Sequence, residues 1–119
     1  MSYAKRDISV EPSDAFLKSL KKLLKRYRSL YDDVTKLIVS LKENPMQGAD
    51  LGNGFRKVRM AITSKGKGKS AGARVITFTL LVANGNLLIL AEVYDKADRG
   101  TISDKELKQL LKDITGDMQ

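Results

Sequence analysis

The sequence predicts a single α+β domain, on three observations. Two early segments place apolar residues at helical spacing, three later segments alternate or run apolar as strands do, and an amphipathic helix follows them. At 119 residues, 42% of them hydrophobic and 30% charged, the chain can bury one core, so one domain over residues 1–119 is expected.

The stretch from Ala4 to Val10 alternates polar and apolar residues and ends at Glu11-Pro12, which suits a short edge strand. A helix should follow, capped by Ser13, with Asp14 at its positive end. Its apolar stripe is Phe16, Leu17, Leu20, Leu23, Leu24, Tyr27 and Leu30, opposite Lys18, Lys21, Lys22, Lys25, Arg26 and Arg28. Ser29, Asp32 and Asp33 can start a second helix carried by Val34, Leu37, Ile38 and Leu41 and stopped by Asn44-Pro45. The two form a helical hairpin. Met46 to Phe55, with Gly48, Gly52 and Gly54, reads as a loop.

Strands return at Arg56 to Ile62, where Val58, Met60 and Ile62 alternate with Lys57, Arg59 and Ala61. A basic loop spans Thr63 to Gly72. Beyond it two apolar runs, Arg74 to Val82 and Leu87 to Tyr94, flank Asn84-Gly85, a strong hairpin signal. Ser103 then caps a last helix with Glu106 at capping-box spacing, and Leu107, Leu110, Leu111 and Ile114 form its apolar face.

Composition excludes several kinds of chemistry. With neither cysteine nor histidine, the chain offers no disulfide, no thiol nucleophile, no imidazole base and no zinc site with nitrogen or sulfur ligands. No metal and no cofactor are expected. The start lacks the three-part pattern of a secretory signal, and the longest apolar run, Leu87 to Ala91, is too short to cross a bilayer; the expectation is a cytoplasmic protein without a membrane partner. A net charge of +8 favours a polyanionic partner.

The charge is concentrated. Arg56, Lys57, Arg59, Lys65, Lys67, Lys69 and Arg74 occupy one stretch that contains no acid. Lys57 and Arg59, two apart on a strand, project from one face roughly 7 Å apart, and Arg74 enters the neighbouring strand, so three cations can converge on a phosphate. The ordinary alternative is a solvated strand face beside a solubilising loop. Lys65 to Ser70 reads KGKGKS, but a phosphate-binding P-loop would need glycine at Thr63, and the segment opens a strand where a dinucleotide fingerprint would open a helix. The glycines instead suit a clamp that lets amides and lysines wrap a backbone phosphate. Tyr94, Asp95, Lys96, Asp98 and Arg99 follow the last strand, at a sheet rim that often carries functional groups but can equally be a polar connection.

The segment RKVRMAITSKGKGKSAGARVITF, followed by VYDK and ISDKEL, resembles the RelE/ParE superfamily of toxins, and most closely its HigB-like branch, in type II toxin–antitoxin systems. The likeness runs from about Phe16 to Ile114 and is strongest from Gly54 to Lys96. It implies a RelE-like fold: a compact antiparallel sheet with its helices on one side. It also implies a ribosome-dependent endoribonuclease acting on mRNA in the ribosomal A site, and a cognate antitoxin of helix-turn-helix type. Carried over by position, the catalytic set becomes Lys57, Arg59, Arg74 and Lys96, with Arg56, Lys65, Lys67, Lys69 and Tyr94 as RNA contacts. Some relatives place a tyrosine beyond the last lysine, where this chain has Thr101, Ile102 and Ser103.

The chemistry is compatible with that set. RNA cleaves itself once its 2′-hydroxyl loses a proton, the pentavalent phosphate is stabilised and the 5′-oxygen gains a proton, and a metal is not required. Without histidine, a lysine crowded by like charges is a reasonable base, with arginine as the clamp. Two other readings stay open: a ParE-like toxin that binds DNA gyrase, and a non-catalytic RNA-binding module.

Overall fold

The computed structural model describes residues 8–82 and 85–116. Its elements run β1 (Ser9–Pro12), α1 (Asp14–Leu24), α2 (Leu30–Glu43), β2 (Ala49–Gly52), β3 (Phe55–Met60), a 3-10 turn (Thr63–Lys65), β4 (Ala73–Val82), β5 (Gly85–Asp95) and α3 (Asp104–Gly116). The fold is α+β, as the sequence predicts. Ala4 to Asp7 of the expected edge strand, and Asn84 of the expected hairpin turn, lie outside the described residues.

The strands form one sheet in the order β1-β5-β4-β3-β2. Four are antiparallel neighbours, with β4 and β5 paired from Ala73↔Asp95 to Val82↔Gly85. The sheet is nevertheless mixed, because β1 joins the outer side of β5 in parallel, Val10 opposite Leu88. That pairing is reached through a long connection, as parallel strands require, and both helices of the hairpin lie within it. A further difference is β2. The segment from Met46 to Phe55 reads as a loop, but the glycines there supply turns, and Ala49 and Asp50 pair with Lys57 and Arg56. Gly48, at φ 91, brings its backbone so close to Lys57 that an added Cβ would lie 2.4 Å from the Lys57 carbonyl oxygen.

The first helix is also shorter than its apolar stripe. It is capped by the Ser13 hydroxyl, which accepts from the Phe16 amide at 3.1 Å, and stops at Leu24; Leu30 instead begins α2. The stripe continues across the break because Tyr27 and Leu30 turn inward to the same core. At α3 the capping box forms as expected: the Glu106 amide donates to the Ser103 hydroxyl at 3.1 Å, and the Ser103 amide to the Glu106 carboxylate at 3.3 Å.

Helices cover both faces of the sheet, where the family likeness implied one. Phe16, Leu23, Leu30, Val34, Leu37 and Leu41 of the hairpin pack on Val58, Met60, Val75, Leu88, Leu90 and Val93. On the other face Leu110, with Leu107, Leu111 and Ile114 half-buried beside it, meets Phe55, Ile76, Phe78, Ala91 and Tyr94. Successive strand residues serve opposite layers, so Val75 and Ile76 are both fully buried. Each such side chain contributes about 1.5–3 kcal/mol of burial.

Candidate nucleic-acid interface

The α3 side of the sheet carries the candidate site at its polar end. Alternation along β3 sends Phe55, Lys57 and Arg59 to this face and Arg56, Val58 and Met60 to the other. Register sets Lys57 opposite Ile76 and Arg59 opposite Arg74, and on the next strand Arg74 opposite Tyr94. Lys57, Arg59, Arg74 and Tyr94 thus occupy two adjacent rungs of one face. Lys57 is half-buried and Arg59 exposed, and neither makes an ion pair among the described residues.

Arg74 differs from what its place in the sequence suggests. Convergence on a phosphate would call for a side chain open to solvent, but Arg74 is only 4% exposed. Its guanidinium donates to the carbonyls of Lys69 at 3.2 Å, Ser70 at 3.0 Å and Ala73 at 3.1 Å. No carboxylate neutralises it among the described residues. It therefore holds the end of the basic loop over the sheet while its charge remains uncompensated beneath Arg59.

The loop itself is fastened at several points. Asp33 at the start of α2 is buried and accepts from the Thr63 amide at 3.0 Å and hydroxyl at 2.5 Å, while Ser29 and Ser64 exchange amide-to-hydroxyl bonds at 2.9 and 3.0 Å. These bonds fix the 3-10 turn that begins the loop. At the other end Gly72 is pressed against β3: an added Cβ would lie 2.2 Å from the Met60 carbonyl oxygen, so only glycine fits. The Gly72 carbonyl accepts from the Lys96 amide at 3.0 Å.

Two cations expected to meet RNA are engaged inside the fold. Arg56 points to the hairpin face and donates to the carbonyls of Gln47 at 3.2 Å and Gly48 at 2.8 Å, bracing the approach to β2. Lys65, its side chain 14% exposed, donates to Asp95 at 2.6 Å and to the Ala71 carbonyl at 3.0 Å. Lys67, Lys69 and Lys96 are exposed. Lys96, expected in the catalytic set, lines a groove of about 640 Å³ together with Tyr27, Lys65, Lys67 and Ser70.

Asp95 and Tyr94 point in opposite directions. Asp95 has no exposed surface and accepts from Lys65, the Ala97 amide at 2.9 Å, Tyr27 at 2.5 Å and Arg26 at 3.0 Å. Burial works against its charge, but hydrogen bonds from Lys65, Tyr27 and the Ala97 amide outweigh it and hold the carboxyl below the usual aspartate range. Tyr94 is buried, its hydroxyl without a hydrogen-bond partner among the described residues and the Arg99 guanidinium 4.5 Å above its ring. Burial pushes this phenol above its ordinary value, against the opposing charges of Arg99 and Arg74. Arg99 is in turn paired with Glu106, whose carboxyl that hydrogen bond holds below the usual range.

Sequence reasoning passed over Glu92. A register shift leaves Ala91 without a partner and sets Glu92 opposite Ile76, so two successive residues face the α3 side. The half-buried Glu92 thereby joins the Lys57 rung, roughly 10 Å away across two strands. A polar residue interrupting the run from Leu87 to Tyr94 was the available signal.

Among the described residues no helix is long and apolar enough to cross a membrane, and no group of three or more acidic side chains is placed to hold a metal ion. What the fold and this face define is a small, strongly basic α+β protein whose cations are gathered at one end of a sheet. A family model described as the RelE toxin of the RelE/RelB toxin–antitoxin system matches residues 15–119, and the chain belongs to that family. No curated protein matches it. Membership makes the chain a toxin of a toxin–antitoxin pair and implies a cognate antitoxin as partner; toxins of this family are generally endoribonucleases.

Proposed function

We infer that this toxin is a ribosome-dependent mRNA endoribonuclease of the HigB-like branch, cytoplasmic and held inactive by a helix-turn-helix antitoxin. The observation that carries this reading is the pair of adjacent rungs on which Lys57, Arg59 and Arg74 share one sheet face with no carboxylate among the described residues bonded to any of them. Uncompensated cations in register favour a phosphate, and favour still more the extra charge of a pentavalent phosphate.

In this reading Lys57 and Arg59 reach the scissile phosphate, and Arg74 adds its positive field from below while holding the loop in place. Lys67, Lys69 and Lys96 grip flanking backbone. The 2′-hydroxyl proton goes to a lysine crowded by like charges or to Glu92, the carboxylate on the same face, and the leaving 5′-oxygen takes a proton from a lysine ammonium of the patch to become a 5′-hydroxyl. Because the 2′-oxygen is the nucleophile, RNA and not DNA is the substrate. The gyrase-binding alternative has less support, since blocking a protein needs no cluster of phosphate ligands.

The test is to incubate the purified toxin with programmed ribosomes and map the mRNA ends, with and without EDTA. Cleavage in the A site, giving a 2′,3′-cyclic phosphate and a 5′-hydroxyl whether or not chelator is present, is expected. Intact mRNA together with inhibited gyrase would replace this reading by the other.

A further inference from the structure

Asp95 lies on the hairpin face of β5, opposite the face that carries Lys57 and Arg59, and the reaction above makes no use of it. Four donors from three segments converge on this one carboxylate: Arg26 and Tyr27 after α1, Lys65 at the start of the basic loop, and the Ala97 amide. We propose that Asp95 is the positioning residue of the basic loop, holding Lys65 so that Lys67, Ser70 and Lys96 surround one groove that takes a backbone phosphate of single-stranded RNA, apart from the sheet-face cations. The inference rests on the RNA reading of the preceding subsection.

Lys65 is the last residue of the 3-10 turn, and Gly66 after it turns the chain at φ 68. Its ammonium bonds both Asp95 and the Ala71 carbonyl, so a single side chain closes the loop onto itself and onto the end of β5. Without the carboxylate that ammonium would be a sheltered charge lacking its counter-charge, and it would leave for water and release the loop. A segment with glycine at 66, 68 and 72 has much conformational freedom to regain. Holding it in advance removes that cost from binding.

The groove's charge then follows. No acid is among its lining residues. Asp95 beneath it balances Lys65, and Lys67 and Lys96 make no ion pair among the described residues. Two free ammonium groups and the Ser70 hydroxyl suit the single negative charge and acceptor oxygens of a phosphodiester. The loop's own backbone, pinned by Arg74 at Lys69 and Ser70, separates this groove from the sheet face. A strand lying across it would place neighbouring phosphates on either side.

The experiment measures binding of a 2′-O-methyl RNA of roughly twelve nucleotides, which cannot be cleaved, by fluorescence anisotropy. Asp95→Asn and Lys65→Met should each weaken binding about 10-fold, and Lys65→Arg should restore most of it. In a Lys67→Ala, Lys96→Ala background Asp95→Asn should add almost nothing, whereas in an Arg59→Ala background its full effect should remain. If Asp95→Asn does not fold, Lys65→Met carries the test, because Asp95 there keeps Arg26, Tyr27 and the Ala97 amide. Wild-type affinity in folded Lys65→Met, or an undiminished Asp95→Asn effect in the Lys67, Lys96 background, would overturn the proposal. Trypsin cleavage after Lys67 and Lys69 provides a readout independent of RNA. It should accelerate in Lys65→Met, and an unchanged rate would sink the positioning role even if the wild-type protein bound no RNA at all.

Discussion

Arg59 stands directly opposite Arg74 in the β3–β4 ladder, yet Arg59 is exposed and Arg74 is buried under the loop whose carbonyls it holds. Like charges facing one another across a ladder are unfavourable, and here the carbonyls offset the cost. The two arginines should therefore respond differently to removal. Arg59→Ala and Lys57→Ala should leave thermal unfolding unchanged while lowering single-turnover cleavage about 100-fold. Arg74→Ala should lower cleavage and also stability, by about 1–3 kcal/mol, since its carbonyl partners lose their donor. Equal melting of all three variants would contradict the division.

RNA affinity should depend on salt, with a slope set by the cations that face solvent. Lys57, Arg59, Lys67, Lys69 and Lys96 are available, whereas Arg56, Lys65 and Arg74 are bonded within the fold. Five contacts on a single strand correspond to a log-log slope of about −3.5. A slope near zero, measured by titration across salt concentrations, would remove the patch as an RNA site.

Acid should weaken the fold through Asp95. In the unfolded chain its carboxyl returns to an ordinary value near 3.8, and in the fold it lies lower. Its contribution is therefore complete above the ordinary value and is lost as pH falls through the lower, folded one. Asp95→Asn should be less stable than wild type near neutrality, with the gap narrowing below about pH 4 in urea unfolding. A gap constant from pH 7 to pH 2 would show that the charge is not what stabilises.

Tyr94 gives the opposite limb. Burial raises its phenol above 10.0 in the fold by disfavouring the phenolate, so the fold bears no such penalty below that value and loses stability as pH climbs through the higher, folded one. Tyr94→Phe deletes a buried hydroxyl that has no partner among the described residues, and should hold or raise stability by up to about 1 kcal/mol. The alkaline loss should flatten in the same variant. A marked drop in melting temperature would mean that the hydroxyl has a partner after all.

Alternation in β3, the Asn84-Gly85 signal and the capping box at Ser103 made the antiparallel strands and α3 legible in the sequence, because each is a local pattern. The break between Leu24 and Leu30 was not, since Tyr27 in the connection and Leu30 at the start of α2 keep helical spacing and face the same core. Ala49 to Gly52 lacks the β-branched residues that mark a strand and owes its pairing to β3. The shared face of Lys57 and Arg59 follows from a spacing of two. The inward turn of Lys65 does not, for its partner Asp95 lies 30 positions away, and neither could the carbonyls over Arg74 be read in advance.

Helical layers on both faces bear on strand alignment. A sheet with one wet face rejects a one-residue slip, because slipping exposes every apolar side chain at once. Midway along β4 that safeguard is missing: Val75, Ile76 and Phe78 would all still enter an apolar layer. Alignment must instead be policed by the polar end of the hairpin, where a slip would strand the guanidinium of Arg74 and the carboxylate of Asp95 on the wrong sides and force Gly72 away from β3. The residues that gather the toxin's charge thus also specify the register of its strands.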